Sequence, residues 1–142
     1  MIRRTAILAL ALAAGTVPFL EIGCGSQKAL PNVLNSPYSG PGVTLESTRG
    51  SYVVVVQSPT PGWEPTLDRV ADQYRHKAVF ITLRKPNPAF FYPQVIVQQQ
   101  VGTSVPSTET VKVYIRVLNF DERATDQPYA LAAEQQAPAP AP

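Results

Sequence analysis

The sequence predicts an all-β chain folded as a small β-sandwich, and three observations carry that prediction. Residues 111–118, "VKVYIRVL", alternate strictly: Val111, Val113, Ile115 and Val117 fall on one face and Lys112, Tyr114 and Arg116 on the other, the period of a half-buried strand. Residues 52–57, "YVVVVQ", form a β-branched run, apolar on both faces as a central strand must be. Runs of this kind recur between turns rich in Pro and Gly, the pattern of two packed sheets.

The other elements follow in order. Val43 to Ser47 alternates, and Thr48, Arg49 and Gly50 supply a turn before Tyr52. Residues 78–84, "AVFITLR", set Val79, Ile81 and Leu83 on one face; residues 94–101, "QVIVQQQV", do the same with Val95, Val97 and Val101. Residues 103–110, "TSVPSTET", are expected to be a hairpin connection into the last strand. Residues 66–77 admit two readings. Leu67, Val70, Ala71, Tyr74 and Ala78 fall at helical spacing behind Thr66 as an N-cap, whereas Trp63, Pro65 and Leu67 alternate as an edge strand would. A short strand through Arg69 followed by a polar turn is expected, with a helical turn over Val70 to Arg75 as the alternative.

The first residues read as an export signal. Arg3 and Arg4 form a positive start, and Ala6 to Leu20 is an apolar run of fifteen residues with Thr16 its one polar side chain. That is shorter than the roughly 20 residues needed to span a bilayer, and Gly15 and Pro18 interrupt it, so a signal peptide fits better than a permanent span. The lone cysteine follows: Leu20-Glu21-Ile22-Gly23-Cys24. This arrangement resembles a bacterial lipoprotein precursor. The resemblance implies cleavage before Cys24, lipidation of its thiol and a membrane-anchored chain, although Glu21 stands where that family has an apolar residue. Plain secretion, after cleavage at Gly15 or Gly25, is the alternative; it would leave an unpaired thiol in an oxidising compartment.

These features divide the chain into a signal peptide over 1–23, a tether over 24–42, a β-sandwich domain over 43–128 and a disordered tail over 129–142. The tether holds three prolines in "QKALPNVLNSPYSGP", and the tail ends "APAPAP", a composition that favours extended polyproline-like chain over a packed core. With 142 residues there is material for one domain and a modest core. Of twelve basic and ten acidic residues, Arg3, Arg4 and Glu21 lie in the leader, so the exported part is close to neutral. Its basic residues are scattered rather than massed in a stripe, which argues against nucleic acid as a partner.

Reactive chemistry is not legible. His76 is the one histidine and Cys24 the one cysteine, so neither a zinc or copper ligand set nor a Ser-His-acid triad is indicated. Asp121 and Glu122 sit beside Arg123 in what reads as a surface turn, and no Gly-rich phosphate loop occurs. No enzyme activity and no cofactor are expected.

The segment with the best claim to recognition is residues 58–63, "SPTPGW", which holds two prolines, a glycine and the one tryptophan. Prolines reduce the entropy a loop loses on binding, and a Trp is a preferred interface anchor; equally, a Trp beside Gly in a sandwich can be packing for the core or its rim. The loop resembles the "NPTTGY" loop of chagasin-type cysteine-protease inhibitors and the "TGGY" region of a related family, the B-type components of a protease complex, with Pro59, Thr60, Gly62 and Trp63 matching. Arg84-Lys85-Pro86 follows a strand much as those inhibitors' second, Arg-Pro-aromatic loop does. The resemblance implies an immunoglobulin-like sandwich and a binding edge made by Pro59, Thr60, Gly62, Trp63, Lys85 and Pro86. The expected function is therefore a non-catalytic binding protein of the cell envelope, held to the membrane through Cys24 and acting on an envelope protein. A chagasin-like protease inhibitor and a purely structural lipoprotein are the alternatives.

Overall fold

A computed structural model describes residues 29–124 and 127–139; the expected signal peptide and Cys24 lie outside the described residues. Eight strands form: β1 (Val33–Leu34), β2 (Gly42–Thr48), β3 (Ser51–Ser58), β4 (Glu64–Gln73), β5 (His76–Arg84), β6 (Val97–Pro106), β7 (Val111–Leu118) and β8 (Tyr129–Gln135). They make a five-stranded sheet in the order β1-β8-β7-β5-β4 and a three-stranded sheet in the order β2-β3-β6. The all-β sandwich expected from the sequence is the fold. Its larger sheet is mixed: β5 runs parallel to β7, and β1 parallel to β8.

The core is the seam between the sheets. Tyr52, Val54 and Val56 from β3 and Val101 and Val105 from β6 face Val79, Ile81 and Leu83 from β5 and Val111, Val113 and Ile115 from β7. Fully burying one such aliphatic side chain stabilises by about 1.5–3 kcal/mol, so this cluster is the main favourable contribution. β3 is the central strand of its sheet, as its two-faced apolar run requires, and Val55 on its other face is buried too. Arg49 (φ 53°) and Gly50 (φ 81°) close the β2–β3 hairpin between the paired residues Thr48 and Ser51, a two-residue turn whose positive φ angles match strand twist.

A second cluster lies on the outer face of the five-stranded sheet. Ala78, Phe80 and Tyr129 are buried there, with Ala71 and Tyr114 packed against them. Phe80 stacks on Tyr114 (5.3 Å between centroids) and meets Tyr129 edge-on (5.1 Å). Lys112, Tyr114 and Arg116, expected to face solvent, are half-buried by this layer, and Val117 is less buried than Leu118 at the strand's end.

Five expectations are corrected. Residues 66–77 are neither helical nor a short strand: β4 runs to Gln73, and the turn is only Tyr74-Arg75. A bulge between Leu67 and Arg69 inserts a residue, so Asp68 and Arg69 both point outward while Leu67 and Val70 both pack on the core; this is how a strand imitates helical spacing. The strand placed at 94–101 starts at Val97 and continues to Pro106, because Thr103 and Val105 prolong the alternation and the Thr103 hydroxyl donates to the Tyr52 carbonyl at 2.7 Å. Val95 is exposed, and 107–110 joins strands of different sheets, not a hairpin. The tail proposed over 129–142 is structured through β8, which pairs antiparallel with β7 and buries Tyr129. The tether over 24–42 contains β1 and the first residue of β2, and it is held where the Tyr129 amide donates to the Asn32 carbonyl (2.9 Å) and Arg69 Nη2 to the Ala29 carbonyl (3.1 Å).

A chain ending at Pro128 should lose its cooperative urea transition, because β7 then loses its antiparallel neighbour and the outer cluster loses Tyr129. The expected cost exceeds about 5 kcal/mol, the lower end of a small domain's whole stability. A chain ending at Gln136 should stay within about 0.5 kcal/mol of the intact one, as for removal of exposed residues. Equal midpoints for both truncations would show β8 to be dispensable.

Candidate functional site

All the connections that carry the expected binding residues emerge at one end of the sandwich. The strand registers put Glu64 beside Arg84, Leu118 beside Arg84 and Gly42 beside Gln57. The 59–63, 85–96 and 119–128 connections and the 35–41 segment therefore share that end, while Tyr74-Arg75 and 107–110 lie at the other.

Within this end the six predicted residues divide. Pro59 is exposed. Thr60 is buried, and its hydroxyl has no hydrogen-bond partner among the described residues. Gly62 lies under the ring of Tyr92: a Cβ there would stand 2.5 Å from a ring carbon, so only glycine permits the approach. Trp63 is half-buried and packs on the inter-sheet core. Its carbonyl accepts from Gln99 Nε2 (2.6 Å), and Gln99 Oε1 accepts from the Ser58 hydroxyl (2.8 Å). The loop is thus stitched to β6 instead of projecting, and the packing role of Trp63 prevails over the role of free anchor.

Lys85 and Pro86 begin the long β5–β6 connection. Lys85 is exposed, with Nζ donating to Asn119 Oδ1 at 3.1 Å. Arg84 clamps the 119–122 turn: Nη1 donates to the carbonyls of Asn119 (3.1 Å), Phe120 (2.8 Å) and Glu122 (3.0 Å). The Glu122 carboxylate accepts from the Asn119 amide (2.9 Å) and from Gln127 Nε2 (2.6 Å). Those bonds, the backbone one foremost, hold its pKa below the usual carboxylate range.

Two depressions follow from this arrangement. One, of about 400 Å³, opens at this end and is lined by Tyr38, Trp63, Lys85, Asn119 and Gln127 among others; here the structure does bring Trp63 and Lys85 together. The other, of about 530 Å³, lies between Pro86, Pro88 and Phe120 and shares Lys85 and Asn119 with the first. Pro59, Thr60 and Gly62 line neither. Tyr38 packs on the core from the segment taken as tether, and the sequence reading passed over the exposed apolar surface of Phe90, Phe91, Val95, Ile96 and Phe120. The signal for those was present: three consecutive aromatics between Pro88 and Pro93 in a stretch without charge. Among the described residues no group of three or more His, Cys, Asp or Glu could hold a metal ion.

Two substitutions probe this geometry. Gly62→Ala should displace the Tyr92 ring and cost about 1–3 kcal/mol, as overpacking does. In a Tyr92→Ala background the same change should cost little, giving a coupling energy that urea denaturation of the four proteins measures. The Tyr38 hydroxyl is buried without a partner among the described residues, and burial pushes its pKa from 10.0 to about 12. A pKa raised on folding contributes stability that is complete below pH 10 and is lost as pH rises towards 12. Tyr38→Phe should therefore flatten the alkaline decline between those values while leaving stability at pH 7 unchanged or slightly higher; an unaltered decline would assign it to other groups. No protein-family model, curated protein or solved structure matches this chain.

Proposed function

We propose that this chain is an exported, lipid-anchored, non-catalytic binding protein of the cell envelope that works by protein–protein contact. The observation that carries the reading is the groove at the loop end, where Tyr38 and Trp63 offer apolar surface beside Lys85, Asn119 and Gln127. Aromatic side chains bordered by amides and charged groups suit a protein surface, in which aromatics bury area and polar groups fix register. The sequence around Cys24 supports the anchor, and the near-neutral exported part supports a protein partner over nucleic acid.

The inhibitor reading has one feature in its favour: the 59–63 loop and Lys85-Pro86 share an end of the sandwich. Against it stand the half-buried Trp63 and the buried Thr60, which leave Pro59 as the exposed member of the matching residues. A steric inhibitor of that kind needs its loop to project into a protease cleft.

The test has two parts. The intact mass of the protein from the membrane fraction should correspond to a chain beginning at Cys24 with a diacylglycerol added. A photo-crosslinking residue at Ser39, on the groove's exposed rim, should yield a discrete adduct with one envelope protein, and the same residue at Tyr74, at the opposite end, should not. Identical adducts from both positions, or none from Ser39, would remove the groove as a contact surface. Inhibition of a papain-class protease that Trp63→Ala abolishes would put the inhibitor reading in its place.

A further inference from the structure

The 85–96 connection is the most apolar exposed feature of the molecule. Phe91 is 106% exposed, Ile96 73% and Phe90 64%, with Val95 and Phe120 nearby also in water. No charged residue occurs between Lys85 and Glu109. Side chains this large, set together on a convex tip, mark an interaction surface.

The backbone of this tip narrows the choice of partner. Pro86, Pro88 and Pro93 have no N–H to satisfy. The Ala89 amide donates to Asn87 Oδ1 (2.9 Å), the Phe90 amide to the Asn87 carbonyl (3.2 Å) and the Val95 amide to the Pro93 carbonyl (2.9 Å). Six of the positions from 86 to 96 thus need no water for their N–H. That lowers the cost of bringing the loop against a bilayer, whose interfacial layer still offers water and headgroup oxygens to the remaining N–H groups. A bilayer also accepts a protruding tip without a matching pocket.

Placement agrees. Ala29, the first described residue, is five steps along the chain from Cys24, and an extended chain covers at most about 3.3–3.6 Å per residue, so in an anchored chain Ala29 stays within roughly 18 Å of the lipid surface.

We infer that Phe90, Phe91, Val95 and Ile96 insert into the interfacial layer of a lipid bilayer, a second contact that fixes the orientation of the domain. The tether-length part of this inference rests on the lipid anchor proposed above; the tip itself does not.

The test uses the full chain purified from the membrane fraction, with Phe91→Trp in one version and Tyr74→Trp in another, reconstituted into phosphatidylcholine vesicles with brominated acyl chains. The emission added by Trp at 91 should fall at least twofold and shift to the blue, while that added at 74 should not change. Equal behaviour at the two positions, or no quenching at 91, would overturn the proposal, and a protein docking on the tip would give this last result. The mass of the same sample separates the two readings. Quenching at 91 without diacylglycerol on Cys24 supports the tip and removes the anchor. Diacylglycerol without quenching keeps the anchor and removes the tip. Neither signal removes both.

Discussion

β5 carries Val79, Ile81 and Leu83 on one face and Ala78 and Phe80 on the other, and both sets are out of water. A strand apolar on both faces needs cover on both, and a two-sheet sandwich supplies only one cover. The inner face finds β3 and β6 across the seam. The outer face is covered by long side chains from neighbouring strands: Tyr114 stacks on Phe80, Arg69 places its guanidinium 5.3 Å from the Phe80 ring centre, and Tyr129 closes the side. The rest of the architecture follows from this requirement. β8 must be a strand so that Tyr129 is delivered, and the segment before β1 must cross towards Arg69.

The same outer face holds a polar network centred on Asp68. Asp68 Oδ2 accepts from the Thr82 hydroxyl (2.5 Å) and the Tyr129 hydroxyl (2.9 Å), and Arg116 Nη2 lies 3.6 Å away. Arg116 also donates through Nε to Thr82 Oγ1 (2.7 Å) and through Nη1 to the Ala124 carbonyl, with its guanidinium over Tyr129. A partly buried carboxylate is tolerable when charge and hydrogen bonds meet it, and here four elements contribute. Burial, with help from the Asp68 carboxylate, raises the Tyr129 pKa and keeps its hydroxyl a donor. The bulge at Asp68 makes this possible, since a regular strand would turn either Asp68 or Arg69 inward.

Legibility in the sequence tracks how local each cause is. β7 and β3 were readable because their patterns are complete within eight residues. β4 was not, because the bulge that gives Leu67 and Val70 one face is fixed by partners on β5 and β8. β8, "YALAAEQ", has no β-branched residue and merges into an Ala-Pro tract; pairing with β7 decides its state, so tertiary context overrides propensity. At the candidate site the shared end of Trp63 and Lys85 was legible from loop order. The burial of Thr60, the Tyr92 ring over Gly62 and the role of Tyr38 were not, since each depends on a contact between segments far apart in the chain.

The attachment of β1 to β8 has a mechanical meaning. β1 runs parallel to β8, with Val33 beside Tyr129 and Leu34 beside Ala130. Tension on the chain ahead of Ala29 is therefore borne first by the Arg69–Ala29 and Tyr129–Asn32 hydrogen bonds and passes into the C-terminal strand before it reaches the core. The two arms of the chain are spliced at a single joint. Proteolytic loss of the C-terminal arm would undo that joint from the far side and take with it the strand that completes the five-stranded sheet.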